Sequence, residues 1–534
     1  MSQDKKIVPS IIVYNGKMEQ VPKFGEEAEG FIASGYPVFM SLKKLVGINS
    51  GISIKHSEYE YEVTSNDASK KFVELLLEKF SVSNPNFSLS NVIICVPNTF
   101  TENKIQRFKD LIPSKIYTKE IRRKRHIYES EAVIVNWLNS SDENRKNNCN
   151  IMVCDLGGGT INITIAEVKI NSPVAEISLL SRFGASKGGE EVTRYIANFI
   201  WEKLCEDNDE LAQFDPVNKS LENNLQLSKE KLDEYNTKFT AFESTLRNLK
   251  LYLFQESEKI KFWFSETTKS SANNKQYSFS APEFVKKITN YQSITIDSVG
   301  DYIVSNNTEF KIELSKKKFK ALLDGETESD KYKAVLEDLI NSSLSSISNK
   351  GIDKLIITGR SSFTLGVKDL IKNKVEKYNQ YLNLNIPGYA ELDIDESKLF
   401  VAKGAAIYAA KPTEYRLSRN KSLANYCIFY KKNNNEFFYP VIKINEEFKV
   451  TPGNPEKYIE YPGNNLNLNS VSRLEIVQIL GDIENPPKHK ITTITKVKNQ
   501  YISGNASVNF RLSDKDKIKW KIDSETASLV GEDN

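Results

Sequence analysis

Short, wholly apolar runs alternate with longer amphipathic ones over most of this chain. Lys6–Tyr14 (KIVPSIIVY) predicts a strand, followed by the hairpin signal Asn15-Gly16. Asn91–Val96 (NVIICV), Ile151–Cys154 and Lys354–Ile357 predict short strands in a sheet covered on both faces. Ile161, Ile163 and Ile165 alternate with Asn162, Thr164 and Ala166, which predicts a strand with one polar face. Val192, Tyr195, Ile196, Phe199 and Ile200 carry helical spacing directly after Gly188-Gly189-Glu190. Residues 218–262 are leucine-dotted, highly charged and free of Pro and Gly, so they predict a helical arm. Val401–Ala410 (VAKGAAIYAA) predicts a helix of small residues suited to close packing. Strands alternating with helices up to Ala410 predict an α/β domain over residues 1–410.

The pattern changes after Ala410. Residues 411–422 (KPTEYRLSRNKS) are polar and read as a linker. Beyond them helical spacing vanishes. Val508, Phe510 and Leu512 alternate, Ser513–Lys517 turns, and Ile518, Trp520 and Ile522 alternate again. With Asn464, Gly481, Pro486-Pro487 and Gly504 as punctuation, residues 423–534 predict an all-β domain of roughly 100 residues.

Composition mainly excludes. The 534 residues allow about two to four domains. The net charge is +3 with 27% charged residues, which argues against nucleic acid or a membrane surface as partner. The apolar runs are strand-sized, so no transmembrane helix is expected. MSQDKK lacks the apolar stretch of a secretory signal, and a cytoplasmic location is the expectation. Five cysteines form no CxxC, and His56, His126 and His489 share no motif, so nothing points to zinc.

The chemistry gathers at NIMVCDLGGGTINITIAEV, residues 150–168. Gly157, Gly158 and Gly159 let the backbone turn tightly and direct several N–H groups at one anion. A strand follows where the P-loop and the dinucleotide fingerprint both need a helix, and GK[ST] is missing. A hairpin of this kind can cradle a phosphate, with Asp155 facing the metal on it and Thr160 adding a hydroxyl; the alternative is a plain tight hairpin rich in glycine. Gly188-Gly189-Glu190 opens a helix and reads first as a loop-to-helix cap, and alternatively as a second anion candidate through unpaired N–H groups and the helix dipole. Gly359-Arg360-Ser361-Ser362 turns after a buried strand.

Taken in order, these motifs resemble the heat shock protein 70 (DnaK-type) chaperone family. VIICVPNTFTENKIQRFKDL resembles its strand-VPAYF-helix segment, and CDLGGGTINITI its second phosphate hairpin. SKGGEEVTRYIANFI resembles its GGEDFDNR helix, IITGRSSFTLGVKDLI its adenosine motif GGSTRIP, and VAKGAAIYAA its AYGAAVQAA helix. The resemblance implies an actin-like ATPase fold of two lobes followed by a small β-sandwich, with ATP or ADP and Mg²⁺ as cofactors. It implies a polypeptide client or dedicated protein partner, with a co-chaperone or exchange factor as a further candidate.

Roles carry over by residue. FMSLKKLVG resembles the segment of the catalytic lysine, which falls on Lys43; YESEA resembles NEPTA, whose glutamate positions the attacking water, here Glu129. Asp155 and Thr160 match outright, with Asp155 facing Mg²⁺ through water. Gly157, Gly158, Gly159, Gly188, Gly189 and Glu190 fall on the phosphate side. Glu258, Lys261 and Ser265 keep the ExxKxxxS spacing of the adenosine helix, on one face. Gly359 and Ser361 fall in the adenosine turn.

The departures matter as much. The family's first phosphate hairpin, GIDLGTTxS, has no counterpart in the first hundred residues, so hydrolysis is expected to be weak or lost in this chain alone. Asn162 stands where the family has a metal-side Asp, and Arg360 replaces the second glycine of the adenosine turn. Phe262 and Phe363 replace the two arginines that sandwich adenine, which predicts an aromatic clamp or, alternatively, two core residues filling an emptied pocket. The acidic leucine-rich linker and the helical lid of the family are not expected here. Two readings follow: an ATP-binding chaperone whose β-sandwich holds peptide, or a degenerate, non-hydrolysing relative acting as a scaffold that docks a partner. A sugar kinase or filament protein of the same fold fits the hairpin but not the β-domain.

Overall fold

The computed structural model describes residues 8–14, 21–31, 38–46, 51–56, 59–86, 92–113, 126–205, 253–262, 264, 277–280, 291–296, 302–306, 311–313, 316–324, 331–347, 350–390 and 392–418. In the last fifth of the chain it describes residues 422–433, 435–443, 446–450, 457–461, 465–468, 471–479, 486, 491–497, 505–513, 518–524 and 528–533. Residues 218–252 of the predicted arm and the Asn15-Gly16 turn lie outside the described residues.

The chain is a mixed α/β protein. Its centre is a six-stranded sheet in the order Gly388–Ala390, Lys354–Thr358, Cys149–Leu156, Ile161–Asn171, Val174–Ala185, Tyr415–Ser418. The first three strands run parallel, the middle pairs antiparallel, and the last pairs parallel with Val174–Ala185. Both faces are covered, as the unbroken apolar runs require. Met152, Cys154, Ile163 and Ile165 face the helices Gly189–Cys205, Tyr332–Ser345 and Val367–Tyr381. Ile151, Val153, Ala166 and Val168 face the helices Glu129–Asn139 and Ile394–Ala410. The polar face of Ile161–Asn171 is buried as well: Asn162 and Thr164 are fully enclosed.

The linker reading of residues 411–422 needs correction. Tyr415–Ser418 is the edge strand of the central sheet, with Tyr415 buried and the Ser418 hydroxyl 2.8 Å from that of Ser178. Four residues of mixed polarity suffice because the edge needs only one paired side. The first predicted strand is shorter than expected, Ile11–Val13, and pairs antiparallel with Lys23–Phe24 and Val38–Met40. Ile94–Val96 pairs in parallel with His126–Tyr128. The helix Glu102–Asp110 follows, its N-terminus capped by the Thr101 hydroxyl, which accepts from Lys104 N at 3.3 Å.

The described residues of the C-terminal region, from 422 on, form strands and no helix. One sheet has the order Asn435–Ile442, Asn425–Lys432, Val471–Ile479, Ile491–Val497. In the other, Lys457–Tyr461, Asn505–Ser513, Ile518–Ser524 and Ser528–Asp533 are successive neighbours. Val508 faces Ile522 and Phe510 faces Trp520 across the predicted hairpin. The two sheets touch through Tyr426 and Phe510, and through the Tyr439 and Tyr461 hydroxyls 2.9 Å apart. Among the described residues no helix is long and apolar enough to cross a membrane.

Candidate functional site

Sheet register builds the site. Asp155, one residue before the end of its strand, lies opposite Asn162 on one side and Thr358 on the other. Alternation sends Asp155 and Asn162 to the face covered by the helix Glu129–Asn139. Glu129 opens that helix, where the dipole favours a carboxylate.

Lys43, Glu129, Asp155 and Asn162 therefore converge. The Lys43 ammonium pairs with Glu129 Oε1, and Asn162 Nδ2 donates to Glu129 Oε2 at 2.9 Å. The same amide reaches Asp155 Oδ2 and Thr160 Oγ1, each at 3.4 Å. Burial, and then the neighbouring Glu129 charge, push the Asp155 carboxyl up to about 7, with Lys43 and Asn162 offsetting only part. Burial and the same carboxylate push the Cys95 thiol to about 12, so it is not a nucleophile at neutral pH.

A second set of groups fixes the amide of Asn162. The backbone N–H of Asn98 donates to Asn162 Oδ1 at 2.9 Å, which turns the Asn162 NH₂ toward the two carboxylates. Asn98 is itself saturated. Its Nδ2 donates to Thr164 Oγ1 and Phe183 O, both at 2.9 Å, and its Oδ1 accepts from Ser130 at 3.0 Å. Ser130 also accepts from Thr164 at 2.7 Å. Asn98, Ser130 and Thr164 had no role in the motif reading. Their one signal was the polar face of a strand that had to be covered, since buried polar groups require partners.

The glycines meet in the structure. Gly157 N donates to Thr160 O at 2.9 Å and closes the hairpin, leaving Gly158 exposed. Gly188 sits against it: a Cβ there would lie 2.5–2.7 Å from the Gly158 and Gly157 carbonyl oxygens and Thr160 N. The expectation that Gly188-Gly189-Glu190 offers unpaired amides is corrected here. Gly189 N donates to Gly157 O at 3.0 Å and Glu190 N to Gly158 O at 2.8 Å, so the hairpin's own carbonyls consume them. The sequence shows both glycine runs but not that one caps the other.

Gly359 has φ +84°, and a Cβ there would stand 2.2 Å from Leu156 O, so this turn requires glycine. It delivers Ser361, whose hydroxyl donates to Gly157 O at 2.9 Å. In the helical segment 253–262, buried Lys261 donates to Gly189 O at 3.0 Å and Thr193 Oγ1 at 2.8 Å, and pairs with Glu258 at 3.1 Å. Burial raises the Glu258 carboxyl, but Lys261, Thr193 and Arg360 together hold it below its usual range. Ser265 lies outside the described residues.

Phe262 and Phe363 differ. Phe262 is half-buried, and the Arg360 guanidinium lies 4.2 Å from its ring centre. Phe363 is buried, with the Lys368 ammonium 3.6 Å from its ring centre. A matched pair of open phenyl faces is therefore corrected to one accessible ring, Phe262, backed by a cation from the next turn.

No family model matches the chain.

The donor set is that of an anion cradle beside a carboxylate pair. Asp155 and Glu129 supply hard oxygens suited to a divalent cation that keeps most of its water. Among the described residues there is no group of three or more His, Cys, Asp or Glu side chains that holds a metal by itself. The Asp155 carboxyl is raised first by burial and then by the adjacent Glu129 carboxylate; two close, buried carboxyl groups are the observation that fits such an ion, since a cation there relieves their repulsion.

Proposed function

We propose that this chain binds adenine nucleotide in the manner of the heat shock protein 70 family. Its first part would be an actin-like domain of two lobes, ending at the edge strand Tyr415–Ser418, and its β-region a sandwich that engages a polypeptide or a dedicated protein partner. One observation carries the reading: segments around residues 43, 129, 155–162, 189 and 361 meet at a single glycine hairpin. Phosphates would lie over Gly158–Thr160, and the base near Phe262 and Arg360. Magnesium, when bound, neutralises phosphate charge, and Asp155 would hold it, largely through water.

Calorimetry with ATP and ADP, with and without Mg²⁺, tests this on the full chain. Wild type should bind, and Gly158→Val should not. A Cβ on Gly158 meets only Glu190 Oε1, at 3.7 Å, so the backbone there accommodates a branch point whose methyls would cover the cradle, and a melting curve checks that the variant is folded. Unchanged binding by a folded Gly158→Val would remove the hairpin from the site.

Within this reading, a binder without appreciable turnover is favoured over a brisk ATPase. Glu129 is already held on both oxygens, Oε1 by Lys43 and Oε2 by Asn162, which leaves each oxygen one lone pair for water and ties the carboxylate to the protein. We expect turnover below about one per minute, as for phosphoryl-transfer sites that lack part of their machinery. Glu129→Gln should change it little, because residues that act as a unit are non-additive. Rapid phosphate release that collapses in Glu129→Gln would reverse this choice.

A further inference from the structure

We propose that Ser41 and Lys44 form an anion subsite over the glycine hairpin, and that the Glu190 carboxylate is its built-in occupant, displaced by a ligand phosphate. The inference deepens the nucleotide reading and rests on it for the class of ligand.

The geometry is that of a bound anion. Ser41 Oγ donates to Glu190 Oε1 at 2.6 Å, and Lys44 Nζ meets Glu190 Oε2 at 2.7 Å. These are the short, charge-assisted distances a phosphate oxygen would also make. The carboxylate stands over the hairpin: the Cβ position of Gly158 is 3.7 Å from Glu190 Oε1. The Lys44 stem crosses it too, for a Cβ on Gly159 would lie 2.7 Å from Lys44 Cε. Among the described residues the Gly158 and Gly159 amides donate no backbone hydrogen bond. A hydroxyl, an ammonium and a glycine hairpin thus converge where one carboxylate now sits.

The segment carrying these groups is built for aim. Ser41 has φ 53° and ψ 41°, the left-handed region, which is costly for a residue with a side chain and which persists where surrounding contacts enforce it. The turn it makes splits two consecutive lysines between two carboxylates, Lys43 to Glu129 and Lys44 to Glu190. Glu190 belongs to the helix Gly189–Cys205, 149 residues from Ser41 in sequence, so the contact ties the N-terminal segment to the hairpin's far side. A polyphosphate offers the same donors more charge than a carboxylate does. It should win them, and Glu190 should leave.

Titration calorimetry of the full chain with sodium tripolyphosphate and, separately, with ATP tests the competition. Glu190→Gln removes the internal competitor's charge and should bind tripolyphosphate about tenfold more tightly than wild type. Lys44→Ala should bind it about tenfold more weakly, and Ser41→Ala several-fold more weakly. Glu190→Asp, which keeps the charge but withdraws it by one methylene, should fall between wild type and Glu190→Gln and guards against a folding failure of the latter. Equal or weaker tripolyphosphate binding by folded Glu190→Gln and Glu190→Asp overturns the proposal and leaves the contact a plain tie between segments. Tighter tripolyphosphate binding by Glu190→Gln, with no ATP binding in any variant, keeps the subsite and defeats the adenine reading. ATP binding that neither Glu190→Gln nor Lys44→Ala alters does the reverse.

Discussion

Gly404→Ala should destabilise the protein strongly, although the same change in an ordinary helix stabilises it by about 1 kcal/mol. Gly404 lies in the helix Ile394–Ala410, where it crosses the helix Glu129–Asn139. A Cβ at Gly404 would stand 1.7 Å from Ala132 O and 2.6 Å from its carbonyl carbon. Both are backbone atoms, so no rotamer relieves the clash and the helices must part. Overpacking of this kind costs about 1–3 kcal/mol or more, which lowers the melting temperature by roughly 2–4 °C per kcal/mol in a cooperative unit of about 150–250 residues. The effect should reach the site, because the displaced helix begins at Glu129 and carries Ser130. Loss of nucleotide affinity is therefore expected along with the fall in melting temperature. Gly30→Ala serves as the control, since its Cβ meets nothing within 4 Å. A melting temperature for Gly404→Ala equal to that of wild type would mean that the two helices do not pack as closely as described.

That close crossing was legible in the small-residue run at 401–410, and so were most elements around it. Wholly apolar runs marked Cys149–Leu156 and Lys354–Thr358 because a sheet covered on both faces leaves no polar alternation to confuse the pattern. Alternation on either side of Ser513–Lys517 marked two strands, and the structure pairs them with Phe510 opposite Trp520. Tyr415–Ser418 was missed for the opposite reason. An edge strand of four residues between polar neighbours has no period to detect, and only the pairing with Val174–Ala185 creates it.

The candidate site divides in the same way. Asp155, Thr160 and the glycines stood out because residue type and spacing within one hairpin constrain their chemistry. Lys43 and Glu129 entered through resemblance alone, and the structure does bring them together. Asn98 and Ser130 belonged to no motif and were signalled only by the polar strand face that needed covering: each is a polar residue at the end of one element whose partners lie on others. The tie from Lys44 to Glu190 was invisible for that reason too. Lys43 and Lys44 are equivalent in sequence, and only the left-handed turn at Ser41 tells which carboxylate each will face.

The last prediction concerns the stability cost of Asp155. Asp155 is 5% exposed, and Asn162, the side chain that donates to it, is shared with Glu129 and Thr160. Burial and the Glu129 charge raise its pKa from 3.8 to about 7. In the unfolded chain it ionises near 3.9. Between about pH 4 and 7 the native state therefore keeps a proton that the unfolded state has lost. Unfolding free energy then falls as pH rises through that window, and the full cost applies above it. Three units correspond to a loss on the order of 4 kcal/mol. Asp155→Asn retains an oxygen that accepts from Asn162 but cannot ionise. It should match wild type near pH 4, exceed it increasingly up to pH 7, and hold a constant advantage above pH 7. Urea unfolding of both proteins at several pH values between 4 and 8 measures the difference directly. A gap between the two that does not change with pH would show that Asp155 ionises normally in the folded protein, and with that the charged, desolvated centre on which the cation argument rests would be gone.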